Sequence, residues 1–281
     1  MVDQRTLGPL KNPRSAARKP RSAAQWFKVE VLITTSTVLS LLLAWHLVTH
    51  FNLVTDVLLP TPGKVWSTFV RLCVEGYKDY SLLQHLGHSL WRLLAAFLLV
   101  ILTAIPLGLL SGFSSKVSAV IDPIVEFTRP LPPLAYYTLL VLWLGIENNS
   151  KIALLYLAGF APVYIACVAG VKRVKGDWIQ CARTLGASRR QLFFHVIFPA
   201  CLPDIFTGLR TAVGVIYATL VAAEMVAAIT GIGWMVLDAS KYLRSDVIIV
   251  GIIIMGITGL LLDRMIRIIE DQAIPWKGKH R

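Results

Sequence analysis

Three stretches of this chain, residues 31–49, 93–113 and 152–171, contain no Lys, Arg, Asp or Glu. Each is close to the roughly 20 apolar residues that a helix needs to cross the hydrocarbon core of a bilayer. Inside lipid the backbone has no water to bond, so segments of this kind must be helical. The rest of the chain agrees: of 281 residues, 56% are hydrophobic and only 16% charged, against about 25% charged in an ordinary soluble domain. Too few charges remain to cover a water-facing surface, and the hydrophobicity is too high for a disordered chain.

Three further stretches extend the pattern. Pro130, Pro132 and Pro133 break a mixed segment ahead of an apolar run, so a span is expected over 130–146; others are expected over 205–229 and 247–262. The expectation is an all-α integral membrane protein with about six transmembrane helices filling residues 30–270. A basic arm, 1–29, precedes it and a short tail, 271–281, follows. Residues 51–88 are too polar to cross, although 64–73 place Val65, Trp66, Phe69 and Leu72 as on a surface helix. Gly231 opens another short amphipathic stretch.

The net charge of +12 raises the question of nucleic acid, and its distribution answers it. Nineteen of the Lys and Arg residues fall in the N-terminal arm, at Lys116, in the loop 172–204 and after the last expected span (263–281), if these share one side; only six fall opposite. This is the bias of cytoplasmic loops, and it puts both termini in the cytoplasm, with lipid and not nucleic acid as the partner. Cys73, Cys167, Cys181 and Cys201 are scattered, with no metal-ligand spacing. His85 and His88 read as solvated loop residues outside the second span. No internal repeat supports an inverted-repeat transporter.

The loop 172–204 is the most informative polar segment. In DWIQCARTL, Trp178, Cys181, Ala182 and Leu185 fall at i, i+3, i+4 and i+7, one apolar face of a short helix with Asp177 as its N-cap. Gly186 suits the left-handed end of that helix, Ser188 can cap a second helix, and Pro199 is expected to close it. A rigid bent element of this kind can carry a push from a soluble partner, or simply connect two spans.

The same loop resembles the signature of binding-protein-dependent ABC-importer permeases, E-A-A-x-x-x-G followed by I-x-L-P. Gln180, Cys181, Ala182, Gly186, Val196, Phe198 and Pro199 occupy its places, with Gln180 and Cys181 departing from it. The run DPIVEFTRPLPPLAYYTLLVLWLGIENNSKI, and also LVAAEM and GIGWMV, resemble the taurine branch of the sulfonate, nitrate and bicarbonate group. The resemblance implies a type I ABC-importer permease fold, with a cytoplasmic coupling helix between spans four and five. Trp178, Gln180, Cys181, Ala182, Leu185, Gly186 and Pro199 would couple it to the ATPase. It further implies import of a small sulfonate, taurine foremost, across a bacterial inner membrane by a homodimer. An ABC ATPase dimer would work on the cytoplasmic side and a binding protein on the other. The chain lacks G-x-x-x-x-G-K-[ST], so no cofactor is expected in it; ATP and Mg²⁺ belong to the partner ATPase. Another sulfonate, or an oxyanion such as nitrate or bicarbonate, is the alternative cargo, and a secondary transporter the rival class.

Four residues are candidates for the translocation pathway: Glu224, Arg129, Tyr136 and Tyr217. A carboxylate midway along a span is costly unless it faces a wet cavity or a partner, so Glu224 either lines the pathway or pairs with Arg, Tyr or backbone. Arg129 either attracts a sulfonate or pairs with Glu126, three residues earlier, in a network that Asp122 extends. The tyrosines suit a pathway wall or helix packing equally.

Overall fold

The computed structural model describes residues 23–276, and every regular element among them is helical. Residues 1–22 of the expected arm and 277–281 of the expected tail lie outside the described residues. Helix α1 (Ala23–His50) begins within the expected arm, so 23–29 are helical. Its apolar part, Val31–His50, is long enough to cross a membrane. Residues up to Val54 form one unit with it, and the remaining helices form a second.

In the second unit, α2 (Pro62–Val74) starts where the Thr61 side chain accepts from the Lys64 N–H and Pro62 supplies a preset first turn. It buries Val65, Thr68 and Leu72 and leaves Trp66 exposed, so the apolar face expected there is divided between protein and surroundings. Helix α3 (Leu82–Phe113) begins well before the apolar stretch, because Ser81 and Gln84 form a reciprocal capping box. That corrects the reading of His85 and His88 as loop residues: both are on α3, and His85 is fully buried.

The third expected span is interrupted. Helix α4 (Ser115–Thr128) ends before Pro130, and α5 (Pro133–Leu144) has 12 residues, about 18 Å at 1.5 Å per residue. Helix α6 (Asn148–Arg173) then spans without a break. In the central loop α7 (Gly176–Thr184) starts from Lys175, so Asp177 lies in its first turn and is not its N-cap. Gly186, at φ +80, ends α7: its N–H bonds to the Arg183 carbonyl and the Ala187 N–H to that of Ala182. Ser188 caps α8 (Arg189–Leu192) through a second capping box with Gln191.

Pro199 does not close this helix. One π-helical turn, Phe193–Ile197, carries α8 into α9 (Phe198–Ala227), with the Phe198 N–H bonded to the Phe193 carbonyl. The wider turn accommodates a proline that lacks a donor and would crowd the carbonyl four residues back. Arg189–Ala227 is therefore one continuous apolar helix of 39 residues. Helices α10 (Ile232–Lys241) and α11 (Ser245–Ala273) complete the chain. The last helix outruns the expected 247–262 span by two turns or more. Three of its charges there have partners: Asp263 accepts from Arg267 and Arg210, and Glu270 also lies within reach of Arg210. Among the described residues, five helices are long and apolar enough to cross a membrane.

Helix α6 packs along α3 and α9 together, around a core that includes Val100, Ala104, Leu155, Val163, Cys167, Ala212 and Ile216. Without a hydrophobic difference between lipid and protein, membrane helices gain from close approach, which small residues permit. Gly108 shows how close: a Cβ there would lie 2.6 Å from the Cys167 Cβ and 2.8 Å from the Tyr164 carbonyl oxygen. Gly108→Ala should therefore destabilise the bundle by about 1–3 kcal/mol. Gly256→Ala on α11, where nothing lies within 4 Å, should not. Thermal unfolding in nanodiscs checks the pair, and equal melting temperatures would contradict this packing.

Candidate functional site

Polar residues gather at the two ends of α6. At its N-terminal end the face of α3 that carries His85, Ser89 and Arg92, spaced i, i+4 and i+7, meets the end of α9 and the turn into α10. Glu224 on α9 is 1% exposed and Arg92 is 4% exposed. Arg92 Nη1 donates to Glu224 Oε1 at 2.7 Å and to the Thr230 carbonyl at 2.9 Å. Its Nη2 donates to Thr230 Oγ1 at 2.9 Å, and its Nε to Asn148 Oδ1 at 2.8 Å. Glu224 also accepts from the Ser89 hydroxyl at 2.7 Å and the Gly233 N–H at 3.0 Å. Both charges are thus paired and bonded, which a buried ion pair requires if it is to offset desolvation.

The network continues outward. The Gly231 N–H donates to His85 Nδ1 at 3.2 Å, so Nε2 carries the proton and donates to the Tyr77 carbonyl. The Tyr77 hydroxyl donates to Asp238 at 3.0 Å, and Lys78 Nζ lies 2.6 Å from the same carboxylate. Burial by itself would raise the Asp238 carboxyl, but the bonds from Lys78 and Tyr77 outweigh it and hold the group below the ordinary carboxylate range. Gly231, at φ +122, leaves no room for a side chain, since a Cβ there would strike the Glu224 carboxylate.

Of the four pathway candidates, Glu224 is thus enclosed by protein groups. The Tyr217 hydroxyl donates to the Met255 carbonyl at 2.8 Å. A void between Glu224 and Tyr217 of about 10 Å³ holds no more than one water. Tyr136 is half-buried beside Tyr137 and Leu140. Arg129 is exposed and, among the described residues, forms no ion pair with Glu126. Arg129 and Glu126 line a cleft of about 290 Å³ that also includes Asp122 and Lys172. Asp122 accepts instead from Tyr164 and Ser118, so it does not extend a Glu126–Arg129 network.

At the other end α7 buries no residue. Ile179 and Ala182 turn toward the core, while Trp178 (51% exposed), Cys181 and Leu185 (84% exposed) face out. The expected face therefore divides: Ala182 joins Ile179 inside, because a 3.6-residue period puts positions three apart on one side. Gln180 is exposed and Gly186 has open space around it. Pro199 is half-buried where α9 begins. Two separate regions thus stand out: a buried ionic knot beside a loop, and a short amphipathic helix that presents Trp178 and Cys181 outward.

Residues 104–274, which hold the whole of α4 to α11, match the family of binding-protein-dependent transport system inner membrane components. The chain belongs to that family. It is similar to the taurine transport system permease protein TauC of Escherichia coli K12, 42% identical over 251 residues, which cover 89% of this chain and 91% of that one. The putative aliphatic sulfonates transport permease protein SsuC of Bacillus subtilis 168 is 32% identical over 97% of this chain and 96% of its own length. The nitrate import permease protein NrtB of Synechocystis is 34% identical over 79% and 82%. These relatives are transport components and not enzymes. As an ABC-importer permease, this one works with a substrate-binding protein and an ATPase.

Ser89 and Arg92 were not among the four candidates; the signal that points to them is the i, i+4 and i+7 spacing of His85, Ser89 and Arg92 at the edge of the apolar stretch. If the knot holds this end of the permease, Arg92→Leu should cost about 3–5 kcal/mol by leaving Glu224 buried without its cation. Arg92→Leu combined with Glu224→Leu should recover much of that loss. Thermal unfolding of the two singles and the double forms a cycle that checks it; additive losses would contradict a direct pairing.

Proposed function

We propose that this chain is the permease of an ATP-driven importer that carries a small sulfonate, with taurine the first choice, across a bacterial plasma membrane. It works as a homodimer by alternating access, with both termini in the cytoplasm. The observation that carries the substrate is the 42% identity to a taurine permease across nine-tenths of both chains, with an aliphatic-sulfonate relative matching over nearly the whole length. Nitrate is the second reading, favoured by the nitrate import relative.

In this reading α7 is the coupling helix. Trp178, Cys181 and Leu185 enter a groove on the ATPase, Gln180 lies at the edge of the contact, and Gly186 sets the corner. Ala182 and Pro199 tie the element to the bundle, the first by packing inward and the second at the π turn. ATP and Mg²⁺ are held by the ATPase. Arg129 and Tyr136 lie along the pathway, and Tyr217 and Glu224 support its wall through the bonds they make.

Proteoliposomes containing the permease, the ATPase and the binding protein should accumulate taurine in an ATP-dependent manner, and the permease alone should not. Nitrate uptake without taurine uptake would transfer the assignment to the second reading, and gradient-driven uptake by the permease alone would end both. Gly186→Leu places a side chain at φ +80, which costs about 1–2 kcal/mol locally. It should leave insertion intact while lowering taurine transported per ATP hydrolysed. An unchanged ratio would remove Gly186 from the coupling element.

A further inference from the structure

Beside the Arg92–Glu224 pair lies a cleft of about 470 Å³, the size of a small-molecule site. Its walls are the α5–α6 turn, the first turns of α6, the α3 face and residues Val226 to Thr230 at and after the end of α9. Lys151 lines it and is 2% exposed. Its Nζ donates to the carbonyls of Ile146 at 2.6 Å and Glu147 at 3.0 Å. Among the described residues no carboxylate stands within 4.0 Å of it. An ammonium has three donors, and a buried cation without a counter-ion is costly.

The surrounding charges do not cancel it. Glu224 is committed to Arg92, Ser89 and Gly233. Glu147 is exposed, where water screens it. Other donors converge on the same space. Asn148 accepts from Arg92 through Oδ1, which leaves its NH₂ as a donor at the cleft wall. The Glu147 side chain makes no capping bond, so it leaves the first N–H groups of a 26-residue helix without a side-chain partner. His88 and Tyr80 add polar groups opposite.

We propose that this cleft is a receiving site in the permease for the sulfonate group of the cargo, held by Lys151, the Asn148 amide and the start of α6. The acid at its rim, Glu147, faces the ammonium of an aminosulfonate. The site deepens the importer reading and rests on it. It lies at the end of α6 opposite α7, where cargo released from a binding protein would enter. Because Lys151 and Asn148 sit on one helix and Arg92 holds Asn148, the site is built on rigid elements and not on loop tips alone.

The test uses the permease–ATPase complex without binding protein, with taurine and with isethionate, in which a hydroxyl replaces the amine. Both sulfonates should raise the melting temperature of the wild type, taurine more. Asn148→Asp keeps the acceptor for Arg92 but places a negative charge in the cleft, and Lys151→Gln removes the cation. Each should weaken the sulfonate-dependent stabilisation at least about tenfold in concentration, the equivalent of one lost charge-assisted bond. Lys151→Arg should retain part of it. Glu147→Gln should remove only the preference for taurine over isethionate.

No shift in the wild type, or shifts unchanged in Asn148→Asp and Lys151→Gln, would overturn the site. If Lys151→Gln does not fold, Asn148→Asp decides. Taurine uptake by the wild-type assembly, measured in parallel, tests the substrate by itself, so loss of the cleft and loss of the importer reading are told apart. A lower melting temperature without a lost ligand response assigns Lys151 to the turn it bonds, and the proposal fails.

Discussion

The end of the bundle at which α6 begins depends on the ion pair between Arg92 and Glu224. Neither charge is tolerable alone at 4% and 1% exposure, and each partner lies on a different helix. Pairing therefore fixes α3 against α9. The remaining guanidinium donors then take Thr230 and Asn148, which brings the turn after α9 and the start of α6 to the same point. Glycine at 231 and 233 lets the backbone come up to the carboxylate, where larger residues would collide with Glu224 or with the Val221 carbonyl. One charge pair in this way sets the relative positions of four segments, and the cleft beside it inherits its shape.

The two candidate regions are joined by continuous helix. From Arg189 to Ala227 the chain is unbroken, about 58 Å at 1.5 Å per residue, with the π turn at one end and Glu224 near the other. In the proposed importer a displacement of α7 and α8 by the ATPase enters α9 directly. It reaches the Glu224 knot through a rod that α6 supports along its length. The π turn lies where the two directions of the chain meet, and such turns often occupy sites of this kind. In that proposal the outward residues of α7 and the donor-rich cleft belong to one mechanism: a motor engaged at one end and cargo received at the other.

Much of the secondary structure was legible because membrane burial leaves a strong trace. Uncharged runs marked α3, α6 and α11, and prolines marked the break between α4 and α5. Gly186 and Ser188 marked the corner after α7, since a left-handed residue and a capping side chain are local requirements. Boundaries were less legible where polar residues are helical. Ser81 and Gln84 start α3 in polar sequence, and Asp263, Arg267 and Glu270 extend α11, because their partners lie across the bundle or along the helix. Pro199 misled for a related reason: a π turn depends on the geometry of the chain before it and not on the proline itself.

From the residues alone came the membrane environment, the helical class, the distribution of charge and the motif of the α7 corner. Each follows from hydropathy, backbone preference or local spacing, which act over a few residues. Only the tertiary structure decided that Glu224 pairs with Arg92, 132 residues away, that Ala182 turns inward while Trp178 and Leu185 face out, and that Lys151 lines a cleft where, among the described residues, no carboxylate reaches it. Those outcomes depend on which helices are neighbours and how they are rotated. A buried charge declares that it needs a partner, but packing selects which one.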